Sequence, residues 1–598
     1  MFDYLVVGAG PSGLCAAKTI VECEVGASLK ILDANKTLGG VWAKENIYPG
    51  LKTNNLRGGI DFSDFPMHDG FGIAAGEHVS GAVMHEYLVA YAERSDLVKL
   101  IDFETHVQEI SQLQNGQGWN LKVRRCDSAA VGSNGAGSTT TEIQTKKLII
   151  ATGITNQPNR PFLIGTAAFE GPIVHSSEMG MKADALMDDP KIKRIAVIGG
   201  GKSAFDAVHL AGIKEKFVEW IMRKSGKGPE WVFPAHAQIG PFKLIRERLA
   251  TRRILTFFSP CLWNDGFGWI RNKLHFTKLG RLLTQKFWAN LHEKTLQQCR
   301  LMEFPYTRIL QPETSPFWYG TASGILSYEP SLYDMIGGAT VEIHREDISY
   351  LSKHSIMLTN GYTIQADAII TATGFSVEPT FKFLPTKLHS DLGIPTPSLT
   401  PEQHDFWKAL DRQADLTIAS SFPRLLDGPY KSPSSTVVQP YHGGMDANRR
   451  DHTPFRLYRA IAPPGLTAQG DRSLVFIGMF SNLANTPRCE LQCLWAYAYL
   501  TGKLDQSNSI DPNTVFEETA LMSRYVRHRA PYGHGKFFPD LVFDQLPYFD
   551  MLLQDLKLKY WRKGNLLAEI FGSYVSEDYA VVVQEWLKAN KDDKVKED

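Results

Sequence analysis

Two stretches of the chain repeat one order of apolar and polar positions. In the first, the apolar run Phe2–Val7 leads into Gly8-Ala9-Gly10-Pro11-Ser12-Gly13. Helical spacing follows through Leu14–Ile20, and a second short run, Leu29–Leu32, stops at Asp33. In the second, Ile195–Ile198 leads into Gly199-Gly200-Gly201-Lys202-Ser203-Ala204. Helical spacing follows through Phe205–Leu210, and Val218–Met222 stops at Arg223-Lys224. Short, wholly apolar runs next to glycine turns predict buried parallel strands, and the 3.6-residue spacing after them predicts helices. Two further apolar runs, Leu148–Ala151 and Ala368–Ala372, each end in Thr-Gly, at Gly153 and Gly374. They predict two more buried strands that turn sharply at their exits.

Between these units the pattern weakens. Residues 127–141 are rich in Gly, Ser and Thr and read as an exposed hairpin loop without function. Residues 227–333 are too long for a plain crossover. They carry Trp231, Trp263, Trp269, Trp288 and Trp318, and predict an insertion over the second unit. The run from Ile254 to Ile270 is broken by Pro260, Asn264 and Asp265, so it does not span a membrane and reads as a lid or a piece of core, with contact to a membrane surface as the alternative. Residues 379–472 look Pro-rich and irregular. Helical spacing returns over 516–587, and the charged tail 588–598 is expected to be disordered. The predicted fold is α/β with two Rossmann-like dinucleotide-binding domains, the second inserted in the first. The first occupies residues 1–165 and resumes over 375–500. The second occupies 166–374, and a helical extension covers 501–598.

The glycines carry the chemistry of this reading. In G-x-G-x-x-G the first Gly (Gly8) permits the tight turn, and the second (Gly10) lets a pyrophosphate approach the backbone. The third (Gly13) lets helix and strand pack closely, and the helix N-terminus offers N–H groups to phosphate. Ser12 belongs to this loop. Asp33, 25 residues after Gly8, stands where a carboxylate accepts ribose hydroxyls. The second loop, with Gly199, Gly201 and Ser203, has Ala in the third place, and its following strand ends in cations. Arg223 and Lys224 suit a 2′-phosphate, so the second nucleotide is expected to be NADP rather than NAD. Two nucleotides facing each other suggest electron transfer between them.

Composition narrows the partners. Lys plus Arg and Asp plus Glu are both 64, so the net charge is zero, which argues against nucleic acid. The seven cysteines include no C-x-x-C pair, and no disulfide scaffold, zinc ribbon or other metal-ligand cluster is read from them. Free thiols fit the cytoplasm. Neither a signal peptide nor a run of about 18 apolar residues is found. No G-x-S-x-G suggests a hydrolase.

Several short motifs over residues 1 to about 500 resemble the flavin-containing monooxygenases. Gly39-Gly40-Val41-Trp42 matches G-G-x-W. Tyr48-Pro49-Gly50-Leu51-Lys52-Thr53-Asn54 matches a stretch whose final Asn lies by the flavin ring. Phe169–Ser176 matches F-x-G-x-x-x-H-S, although Met179 stands where an aromatic is usual. Phe476-Ile477-Gly478 and Glu490-Leu491-Gln492 resemble the family's closing segment, and the long carboxyl region resembles its fungal members. The resemblance implies FAD on the first loop, with Gly40 and Trp42 beside it, and NADPH on the second. It implies a hydride passed from NADPH to FAD and one oxygen atom of O2 passed to a small organic substrate, a secondary metabolite. Asn54 becomes the candidate catalytic residue and His175 a linker residue.

The related Baeyer–Villiger monooxygenases carry Y-P-G-A-R-C-D where this chain has YPGLKTN, and H-T-x-x-W where it has His175-Ser176-Ser177-Glu178-Met179. Both differences favour oxygenation or hydroxylation at nitrogen or sulfur, with Baeyer–Villiger oxidation as the alternative. A disulfide reductase is disfavoured, because Cys15, Cys23, Cys489 and Cys493 do not resemble an active dithiol. A flavoprotein that only binds its nucleotides is the alternative outside enzymes.

Overall fold

The structure is a computed structural model. It describes all residues except 114–115, 127–137, 240, 313, 322, 339, 398, 429–451, 505–510, 536 and 598. Most of the Gly/Ser/Thr-rich loop, residues 127–137, therefore lies outside the described residues, as does part of the 379–472 segment.

The first unit forms as its pattern predicts: strand β1 (Phe2–Val7), helix α1 (Pro11–Cys23) and strand β2 (Leu29–Leu32). Pro11 is the first helical residue, where its fixed φ is already helical and its missing N–H costs no bond. β1 lies parallel to β2 on one side and to Ser138–Ile150 on the other, with Val7 opposite both Leu32 and Ile150. These are central strands of an eight-stranded mixed sheet. Phe476 of the late strand Leu474–Phe476 also pairs with Ile150, so the chain returns to this sheet after the second unit. Strand β3 (Lys52–Leu56) pairs outside it, antiparallel to His78–Ser80.

The second unit is a five-stranded, all-parallel sheet in the order 341–344, 217–221, 194–198, 368–371, 173–175. Strand β4 (Arg194–Ile198) is central. Helix α2 (Lys202–Ile213) follows it, and strand β5 (Phe217–Ile221) pairs beside it. Ile198 faces both Ile221 and Thr371, so the glycine loop and the Thr-Gly exit leave the same edge. His175 ends the edge strand, fully buried. Its ring accepts from the backbone N–H of Ser177 and shares a hydrogen bond with the carbonyl of Gly374. Burial holds its pKa below the ordinary value, which suits a neutral ring with a structural bond. Met179, the departure from the aromatic pattern, is buried in the core of this unit.

The 227–333 region adds a strand pair, Trp231–Pro234 parallel to β6 (Ser323–Leu326). It also adds helices α3 (Arg246–Ala250) and α4 (Lys278–Gln298). Trp231 and Trp288 are buried, and their indole N–H groups donate to Thr314 and Phe258 carbonyls at 2.9 Å. In the 254–270 run, Phe257 and Phe267 are core residues, so the core reading prevails there over a lid.

Two expectations need correction. The 379–472 segment is not irregular throughout: Pro401–Ser421 is a 21-residue helix closed at its start by a Thr400/Gln403 capping box. That box and the apolar face at Trp407, Ala414 and Ile418 were readable signals. The tail is helical rather than disordered, because the last helix runs Val582–Glu597. Among the described residues no helix is long and apolar enough to cross a membrane.

Candidate functional site

The first glycine loop is shaped by close backbone contacts. Gly8 has φ +109°, and a Cβ there would lie 2.6 Å from the Ala151 carbonyl oxygen. A Cβ on Gly13 would fall 1.8 Å from the Gly8 oxygen, so only glycine lets α1 start beneath β1. Gly10 differs. Its nearest neighbour would be the Gly40 Cα at 3.5 Å, ordinary contact, so the protein itself leaves room at Gly10. No side chain caps α1, and its first turn holds no acidic residue. Uncapped N–H groups, two facing glycines and the positive end of the helix dipole fit a pyrophosphate. Ser12 packs beside Gly478, and the Gly478 N–H faces the Gln492 amide at 3.4 Å, which joins the two closing motifs at this loop. Asp33 is buried, and its carboxylate accepts from the N–H groups of Ala9 and Asn35 at 2.5 and 2.7 Å. Burial holds its pKa above the usual value despite those bonds. Trp42, half-buried, accepts from His85 through its carbonyl. These residues fit the nucleotide half of FAD.

The second loop is built alike, with one addition. Gly199, at φ +146°, sits 2.3 Å (as a Cβ) from the Ala372 oxygen. Here the helix N-terminus is not open. The Glu230 carboxylate accepts from the Lys202 N–H at 2.6 Å and stands 3.0 Å from where a Gly201 Cβ would be. It occupies the place that a phosphate takes in such loops, and withdrawal from water pushes its pKa up to about 7. Ser203 and Gly201 lie in this turn. At the end of β5, Lys224 pairs with Glu346 at 2.7 Å. The Arg223 side chain makes no ion pair or hydrogen bond among the described residues and is the freer of the two cations. Gly374, at φ +80°, has open space around its Cα.

β3 presents Asn54 to a cavity of ≈ 490 Å³, walled by β3, β6, α3, α4 and the 481–485 turn. The alternation of a strand sends Asn54 outward and Asn55 inward. The Asn54 Oδ1 accepts from the Ile325 N–H of β6 at 3.3 Å. One residue earlier on β6, a Cβ on Gly324 would meet the Lys202 side chain at 2.8 Å. β6 thus touches Asn54 and the start of α2 within two positions. Asn55 donates to Glu247 at 2.6 Å and to the Leu483 carbonyl at 2.9 Å. The Glu247 carboxyl also lines the cavity, and burial pushes its pKa up to about 7. Sequence reading missed Asn55, Arg246 and Glu247, because the partners lie 192 residues apart and no short motif marks them.

The fold also assembles a cluster that sequence spacing did not reveal. Cys15 of α1 meets Cys489 and Cys493 of the Asn485–Leu500 helix, with their three sulfur atoms within 4.8 Å of one another, all buried. The Cys489 and Cys493 thiols point at the Pro11 and Ser12 carbonyls at 3.8 Å. Small side chains here let the two helices cross closely beneath the first loop.

Comparison with known proteins agrees with this geometry. The profile of the flavin-binding monooxygenase-like family matches residues 3–281. The chain is 34% identical to the FAD-dependent monooxygenase rstn6 of Aspergillus nomiae, covering 98% of both chains. It is 32% identical to the FAD-dependent monooxygenase resA of Aspergillus sclerotiorum, again over 98% of each. In fold it is similar to a solved oxidized steroid monooxygenase bound to NADP, with TM-score 0.56, 18% identity, and coverage of 93% of this chain and 98% of that one. With a relative this similar along nearly its whole length, and with the glycine loops and Asp33 placed as they are, the chain belongs to the flavin-binding, FAD-dependent monooxygenases.

Proposed function

We propose that this enzyme oxidises NADPH with O2 and places one oxygen atom on a nitrogen or sulfur atom of a largely apolar metabolite, working in the cytoplasm. The balance is NADPH, a proton, O2 and substrate in, and NADP, water and the oxygenated product out. FAD, when bound, supplies the two-electron relay and the activation of O2. The chain's own residues do the rest. Gly8, Gly10, Ser12, Gly13, Asp33, Gly40 and Trp42 hold FAD. Gly199, Gly201, Ser203, Arg223, Lys224 and Gly374 hold NADPH, with Arg223 as the main contact to the 2′-phosphate. Asn54 faces the reacting atoms, where a neutral amide donates and accepts hydrogen bonds without delivering a proton. The aromatic and aliphatic cavity wall excludes water.

The observation that carries this reading is the position of β6. Its Ile325 N–H holds Asn54 on the wall of the cavity, and its Gly324 packs against Lys202 at the start of α2. In this reading a substrate in the cavity lies beside Asn54 and one strand away from the second loop. The test is incubation of holoenzyme with NADPH, ¹⁸O2 and a metabolite extract, followed by mass spectrometry. One labelled oxygen in a product, with NADPH consumption stimulated by the extract, is expected. Unlabelled products, or NADPH consumption that no extract stimulates, would refute the reading.

A further inference from the structure

The cavity at Asn54 is apolar over much of its wall but carries an excess of cations. Arg246, Arg252 and Lys294 line it against the single carboxyl of Glu247. Glu247 spends its oxygens on Asn55 and the Leu56 N–H, and among the described residues it forms no ion pair with these cations. Arg246 is the most constrained. Its Nε donates to the Pro234 carbonyl at 2.9 Å, its Nη2 bonds the Gln298 side chain, and its guanidinium lies 5.5 Å from the Phe233 ring centroid. Nη1 makes no hydrogen bond, and among the described residues no carboxylate pairs with this guanidinium. A guanidinium fixed on two edges, largely desolvated, without a counter-ion and facing a cavity is prepared for an anion.

Resting on the function proposed above, we infer that the substrate is an amphipathic acid whose carboxylate binds Arg246 while its apolar body lies against Phe233, Phe287 and Leu291. Electrostatics and geometry act together here. The cationic excess raises the local concentration of anions. The held guanidinium then fixes one end of the molecule, which sets the atom that reaches Asn54. A neutral isostere leaves Arg246 desolvated and unpaired, so discrimination between acid and amide is large.

The test uses the FAD-loaded enzyme without NADPH and reads perturbation of the flavin absorbance. The probes are dodecanoate and 4-phenylbutanoate, each against its carboxamide. At least one acid should bind about tenfold or more tightly than its amide. Arg246→Gln should bring that ratio close to one while keeping the FAD content and thermal midpoint. Arg246→Lys, which keeps the charge but not the fork, should retain part of the ratio and covers the case in which the Gln variant fails to fold. Equal binding of acid and amide, binding of neither acid, or a ratio that survives in Arg246→Gln would overturn the inference. Because no NADPH is present and no turnover is read, failure of the oxygenation experiment leaves this result standing, and the two readings fail separately.

Discussion

Under the proposed function, Asn54, Arg223 and Glu230 are the positions at which a single side chain would change the chemistry. Asn54 gives the fold little, one 3.3 Å bond to β6, so Asn54→Ala should keep FAD and stability. Product formation should fall by about 10²–10³, as for loss of one preorganised donor. NADPH oxidation should divert into hydrogen peroxide, measured as the peroxide-to-product ratio, and an unchanged ratio would remove Asn54 from the oxygen chemistry. Arg223→Ala should raise the KM for NADPH about tenfold or more, since a charge-assisted phosphate contact contributes roughly 1.5–3 kcal/mol. Lys224→Ala should raise KM less than Arg223→Ala does, because the Lys224 charge is shared with Glu346. Steady-state kinetics with NADPH and NADH would show equal losses for both cofactors if Arg223 merely supports the fold. Glu230 adds a pH dependence. Its carboxyl, raised to about 7, faces the Lys202 N–H, with Lys202, Lys227 and Asp206 as its charged neighbours. Below that pH the group is protonated and neutral. Above it, an anion stands in the phosphate place and repels the pyrophosphate. The KM ratio of wild type to Glu230→Gln should therefore grow from near one at about pH 6 to several-fold at about pH 8. A ratio that stays flat across this range would mean that Glu230 does not compete for the site.

Between elements, the glycine loops separate folding from cofactor binding. Gly13→Ala drives a Cβ into the Gly8 carbonyl and should prevent α1 from docking, giving insoluble or unfolded protein. Gly10→Ala meets nothing closer than 3.5 Å and should fold with a near-native circular dichroism spectrum, yet retain little FAD by absorbance ratio. A fully loaded Gly10→Ala protein would place the pyrophosphate elsewhere. These units were legible in the sequence because strand, turn and helix are neighbours along the chain, and Gly8, Gly13 and Gly199 answer local steric demands. The cavity was not. Its wall joins β3 to α3, and the Asn55–Glu247 contact is set by tertiary packing that no periodicity records. The cysteine cluster was hidden likewise, since Cys489 reaches the start of α1 from 478 residues away. The tail was misread because its charges resemble a solvated end, while the helix that it continues starts at Val582, and Val582 and Trp586 anchor that start in the first core.

The insertion and the extension are joined through buried charge. Arg253 is fully buried and bonds Asp550 through both terminal nitrogens, and Glu569 at 2.7 and 2.9 Å. Asp265 lies 3.5 Å from it and binds Arg271. Arg253→Met should destabilise by about 3–5 kcal/mol, because it strands buried carboxylates rather than removing a pair. Chemical denaturation would measure it, and a loss under about 1 kcal/mol would mean that water or rearrangement satisfies the acids. The spacing of these partners also governs how the chain can be made. Arg253 emerges from the ribosome 297 residues before Asp550 and 316 before Glu569. Until then Arg253 has only Asp265 of the insertion as a charged partner, so the wall around Asn54, which Arg252 and Ile254 line, is expected to close only when synthesis is nearly over. A chain that ends before residue 550 should therefore carry both glycine loops yet leave the cavity at Asn54 open to water.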